Sequence, residues 1–129
     1  MAKFQPPIPI LRSFDETLAK RFYCEFLGFK VDWEHRFEPG TPLYMQVSRD
    51  ACVLHLSEHH GDATPGAGIR IEMPDVREYH RELAAKPNYG ARPGVDDQPY
   101  GMREVKVTDP FGNRLIFCSG LPVGGAAQD

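Results

Sequence analysis

One pattern, a strand, a helix and three further strands, is written twice along the 129 residues, and this repeat limits the folds open to the chain more than any other feature. In the first copy Ile8-Pro9-Ile10-Leu11 reads as a short strand, with Pro9 placing it at a sheet edge or in an arm that leaves its own subunit. Ser13-Phe14-Asp15-Glu16 then matches an S-x-x-E capping box, and Leu18, Phe22 and Phe26 follow at helical spacing. Gly28 stands where a left-handed C-terminal cap is wanted. Strands are predicted at Phe29 to Glu34, Leu43 to Ser48 and Cys52 to Leu56.

The polar stretch from Glu58 to Gly66 separates the copies. The second opens with a strand at Gly68 to Met73. A helix follows, capped by Asp75 with Glu78 three residues on, carrying the stripe Val76, Tyr79, His80 and Leu83, and ended by Pro87. Three strands complete it: Ala91 to Val95, Arg103 to Val107 and Arg114 to Cys118. The order predicts an α+β fold of two βαβββ modules, at about 8–57 and 67–119, within one domain over 1–129. Each helix buries one sheet face and leaves the other to curl into a ligand cleft. Alternation assigns Leu54, Leu56, Ile69, Ile71, Met73, Leu115 and Phe117 to the core. Val53, His55, Ser57, Gly68, Arg70, Glu72, Arg114, Ile116 and Cys118 are assigned to the cleft.

Composition narrows the function. A formal charge of −3 without a basic run lacks the footprint of a nucleic-acid binder. No apolar stretch is long enough to span a membrane, and the start, Met1 to Pro7, has no secretory pattern, so a cytoplasmic protein is expected. Cys24, Cys52 and Cys118 form no CxxC pair, and small buried hydrophobes are expected there. His55 is expected to be a hydrogen-bonding wall residue of the cleft rather than a metal ligand.

Phe22-Tyr23 before Leu27-Gly28-Phe29, Asp75-Val76 at the second helix, and Asp109-Pro110-Phe111-Gly112-Asn113 before the last strand resemble the glyoxalase, or vicinal oxygen chelate, superfamily. The resemblance implies paired modules that commonly hold a divalent metal. The positions of its metal ligands fall here on Ile8, Gly68 and Ile116, none of which has a donor atom. No metal or other cofactor is therefore expected. Within the superfamily the chain is most similar to the bleomycin-resistance proteins, through Met1-Ala2-Lys3, Pro9-Ile10-Leu11, Gln98-Pro99-Tyr100-Gly101 and Arg103-Glu104. That resemblance implies a homodimer with exchanged N-terminal arms that sequesters a flat, cationic glycopeptide antibiotic and catalyses nothing.

By the same resemblance Tyr100, with Gly101 beside it, stacks on the drug's planar ring system, and Phe37 supplies the second aromatic face. An acidic rim would include Asp32, Glu34, Glu38, Asp96, Asp97 and Glu104, while Arg70 and Arg114 point instead to an anionic ligand or to partners for Glu72. The alternative is a metal-dependent enzyme of the superfamily, a lyase, dioxygenase or thiol transferase, using His55 with neighbours such as Glu72.

Overall fold

Residues 1–86 and 92–122 are described in a computed structural model of the chain. The backbone divides into two units, Met1–Ala67 and Gly68–Asp129, each carrying one four-stranded mixed sheet. The repeat read from the sequence is thus the repeat of the fold. Among the described residues no helix is long and apolar enough to cross a membrane.

In the first unit β1 (Ile10–Arg12), β2 (Lys30–His35), β3 (Tyr44–Arg49) and β4 (Cys52–Ser57) lie in the order β1-β4-β3-β2. β1 sits at an edge, as Pro9 predicts, but it closes its own sheet by pairing parallel with β4, Ile10 opposite His55. Only the residues before it have the character of an arm, and Met1 and Phe4 are fully exposed.

The helix differs from the capping-box expectation. Asp15, not Ser13, is its N-cap and accepts a 2.8 Å bond from the Leu18 N–H, while Ser13 is buried and donates its N–H to the Ser57 carbonyl. α1 (Glu16–Lys20) continues as a π-helical turn over Arg21–Phe26, closed by bonds from Leu27 N–H to Phe22 and from Phe29 N–H to Tyr23. The wider turn carries Phe22, Tyr23, Phe26 and Leu27 into the core together, whereas a regular stripe would bury Leu18, which is exposed. Gly28 at φ 85° then ends the turn, as expected.

In the second unit β5 (Gly68–Glu72), β6 (Asp96–Asp97), β7 (Met102–Thr108) and β8 (Arg114–Gly120) lie in the order β5-β8-β7-β6. α2 (Val76–Ala84) is capped by Asp75 as predicted and packs Tyr79 edge-on against Phe117, with ring centroids 4.8 Å apart. Leu115 and Phe117 are core, but Ile69, Ile71 and Met73 are only half-buried. The strand expected at Ala91 to Val95 is displaced: Arg92 to Val95 form none, because Pro93 has no N–H to offer a ladder, and pairing begins at Asp96. Ala91 and Pro87 lie outside the described residues. Cys118, assigned to the cleft, is fully buried, while Cys24 and Cys52 are half-buried.

Candidate functional site

Two side-chain constellations stand on the sheet faces turned away from the helices. On the first sheet, β2 carries a bulge: Val31 pairs with Val47 but Trp33 pairs with Gln46, so Asp32 is an extra residue. The bulge reverses the alternation beyond it. Val31 faces the core, yet Trp33 joins Gln46 and His55 on the open face, and Glu34 shares a row with buried Met45. There Glu34 meets Lys20 of α1 at 2.7 Å. This one extra residue puts Glu34, expected to border the ligand, on the helix side of the sheet rather than in the row of Trp33.

Trp33 is 42% exposed and lies parallel to Tyr44, with centroids 5.9 Å apart and planes 7° off parallel. His55 meets both rings edge-on. Its Nδ1 lies 2.7 Å from the Tyr44 hydroxyl and its Nε2 lies 2.9 Å from Gln46 Oε1. An amide oxygen only accepts, so the bonds are satisfied when Nε2 carries the proton and Nδ1 accepts from Tyr44. Gln46 in turn donates to Asp32 at 3.0 Å. Desolvation holds the imidazole below its ordinary pKa, which favours the neutral form that this chain of bonds requires. His55 thus has both ring nitrogens engaged within the sheet face. Phe37 stands apart in the loop after β2, 76% exposed and edge-on to His35 and His59.

On the second sheet the centre is Glu104. Its side chain is 1% exposed, yet it faces the same side as Arg70 and Lys106. Oε2 accepts from the Tyr100 hydroxyl at 2.5 Å and from Arg70 at 2.9 Å. Oε1 has no hydrogen bond among the described residues, with Lys106 Nζ at 3.8 Å. The Tyr100 hydroxyl and the Arg70 guanidinium hold this carboxyl below its usual range, and the same bond raises the Tyr100 hydroxyl. Tyr100 itself is 61% exposed, with the Arg70 guanidinium 6.0 Å over its ring centroid, so a buried carboxylate grips the tip of a largely exposed ring. Gly101 at φ 89° makes the turn that presents it, closed by bonds from Gly101 N–H to Gln98 and from Gln98 N–H to Met102.

Of the remaining expected rim carboxylates, Asp97 is clamped by Arg103 through bonds of 2.7 and 3.1 Å. Asp96 is exposed and without an ion pair among the described residues, in the row of Glu104. Glu104 was expected at the rim and is instead buried beneath it. Trp33 and Tyr44 escaped the sequence reading, since strict alternation hides the first in the core.

Among the described residues no three His, Cys, Asp or Glu side chains gather as a metal would require. Ile8, Gly68 and Ile116 offer no donor, and His55 could ligate only by giving up a bond it already makes. The residues present do not fit the divalent cation that many members of this fold hold.

The chain matches the model of the glyoxalase superfamily protein family over residues 1–122. Among solved structures it is similar to the bleomycin-binding protein from bleomycin-producing Streptomyces verticillus complexed with copper(II)-bleomycin. The identity is 31%, with 93% of this chain and 99% of that one covered and a TM-score of 0.68. It belongs to the glyoxalase superfamily, as a bleomycin-resistance-type member. A bleomycin resistance determinant encoded on the transposon Tn5 shares this superfamily member's fold at 20% identity, covering 91% and 98% of the two chains, with a TM-score of 0.65. So does a glyoxalase family protein from Bacillus anthracis, at 18% identity, 93% and 99% coverage and a TM-score of 0.64. No curated protein matches it.

Proposed function

We propose that this superfamily member binds a bleomycin-type glycopeptide, or a similar flat cationic compound, and sequesters it unchanged. The supporting observation is Tyr100: an exposed ring, held at its hydroxyl by buried Glu104, in a chain 31% identical to a protein solved with copper(II)-bleomycin. A ring fixed at its tip loses little freedom when a planar heterocycle stacks on it, so more of the contact energy becomes affinity. Phe37, 76% exposed, and Trp33, 42% exposed, are aromatic side chains that the first module offers to a planar ligand. Asp96 and Glu72 supply negative charge for a cationic group. The two modules act as one domain, and the site of action is the cytoplasm.

Calorimetric titration with metal-free bleomycin and with copper(II)-bleomycin tests this reading. Saturable binding is expected, with the drug recovered at unchanged mass. Either an absence of binding or a chemically altered drug refutes sequestration, and stoichiometric tightly held metal in the purified protein would favour the enzymatic alternative.

Assembly is part of the proposal. Residues 1–9 precede the first strand, and the exposed Phe4 and Ile8 side chains suit an arm exchanged with a second copy about Pro9. Sedimentation is expected to show two chains, and removal of residues 1–8 to give monomer or aggregate. A truncated protein that stays dimeric with the same drug affinity would exclude arm exchange.

A further inference from the structure

On the second sheet the cross-strand register puts like charge in one place. Arg70, Ile116 and Lys106 form a single row across β5, β8 and β7, and Gly68, Arg114 and Thr108 form the next row on the same face. Neighbouring strands are about 4.8 Å apart and same-face residues along a strand about 6.6 Å apart, so by register Arg70 and Lys106 flank half-buried Ile116 across the sheet and Arg114 adjoins it along β8. Arg114 is exposed and makes no ion pair or hydrogen bond among the described residues. Its guanidinium lies over Gly68, where an added Cβ would meet Nη2 at 3.0 Å. The bare glycine is what lets the cation lie down on the sheet. Arg70 and Lys106 share one carboxylate, Glu104, so this group of four side chains keeps two positive charges in excess.

We infer that these three cations form a binding site for the oxyanion of a small molecule, with Ile116 as its apolar floor. Gly68 and Ile116 have no donor atoms of their own, and the charge around them is carried by the guanidinium and ammonium groups of Arg70, Lys106 and Arg114. The face therefore offers donors to an anion, and Arg114 and Arg70 have the planar donor geometry that carboxylate and phosphate accept. The site does not depend on the bleomycin reading. The carboxylates of Glu72 and Asp96 lie one row further along the strands, so a ligand with both an anionic and a cationic group would find a partner for each.

The test uses inorganic phosphate as the probe, titrated into the full-length protein at constant ionic strength set with sodium chloride, with amide chemical shifts and heat as readouts. Saturable binding that perturbs residues of β5, β7 and β8 is expected. Arg114→Gln should weaken it about tenfold, the loss of one charge-assisted contact. Glu104→Gln should strengthen it several-fold, because it releases Arg70 and Lys106 from their shared counter-charge. Circular dichroism checks that both variants are folded, and Arg114→Gln decides alone if the other is not. Phosphate effects reproduced by chloride, or phosphate affinity unchanged in folded Arg114→Gln, would overturn the inference. Neither result bears on drug binding, which the bleomycin titration reads separately.

Discussion

Replacing Tyr100 by alanine is expected to weaken bleomycin binding about five- to 150-fold, the equivalent of about 1 to 3 kcal/mol for a stacked ring that loses both burial and its specific contact. The structure adds a second comparison. Sequence reasoning expects Tyr100→Phe to be nearly neutral if the ring alone matters, but the hydroxyl is the point at which Glu104 holds the ring. Phenylalanine keeps the stacking face, loses the anchor and deprives a buried carboxylate of a donor, so about 1 kcal/mol of affinity should go with it. Tryptophan at this position is expected to keep or strengthen binding through its larger face. Calorimetry on variants shown to keep the parent's oligomeric state checks the ranking. A Tyr100→Ala protein that binds bleomycin as tightly as the parent would remove Tyr100 from the site and turn attention to His55 and Arg70.

The largest loss of stability is expected at the turn before the last strand. Asp109 is 4% exposed and Asn113 fully buried. One oxygen of Asp109 accepts from the Phe111 and Asn113 backbone N–H groups, each at 2.8 Å, and the other accepts from the Asn113 side-chain amide at 2.9 Å. The Asp109 N–H donates back to the Asn113 carbonyl. Alanine at 109 would strand three buried donors at once. Since an unsatisfied buried donor costs about 1 to 3 kcal/mol and relaxation recovers part of it, a loss of about 3 to 4 kcal/mol is expected. Urea denaturation with an unchanged m-value would read it. A loss below about 1 kcal/mol would mean that water replaces the carboxylate. The turn thus has a physical reason for its residues: Asp and Asn close a compact loop whose backbone would otherwise be buried unpaired.

Much of this molecule follows from local pattern. The order of strands and helices, the cap at Asp75, the left-handed glycine at 28, the edge position of the first strand, and the core residues Leu54, Leu56, Leu115 and Phe117 all follow from periodicity and from residues with narrow conformational preferences. The quoted motifs also carried the superfamily resemblance, and with it the attention to Tyr100 and to the metal-ligand positions.

Tertiary structure decided the rest, and each case has the same cause. Alternation along a strand is a local rule, but the β2 bulge exists only in the ladder with β3, and this one extra residue exposes Trp33 and turns Glu34 to Lys20. Capping is local too, yet Ser13 is drawn into the core by its bond to Ser57, on a distant strand, which leaves Asp15 to begin the helix. Glu104 looks from the sequence like one more surface carboxylate. It is buried because Arg70 from β5 and Tyr100 from the turn before β7 reach it from two sides, and their donors offset the desolvation of its charge. The sequence by itself determined the order of the elements, the cap of the second helix, the glycine that ends the first, and the central core positions. Which charges and rings meet one another depended on cross-strand register, because register joins residues far apart in the chain and leaves no mark on the pattern of either strand alone.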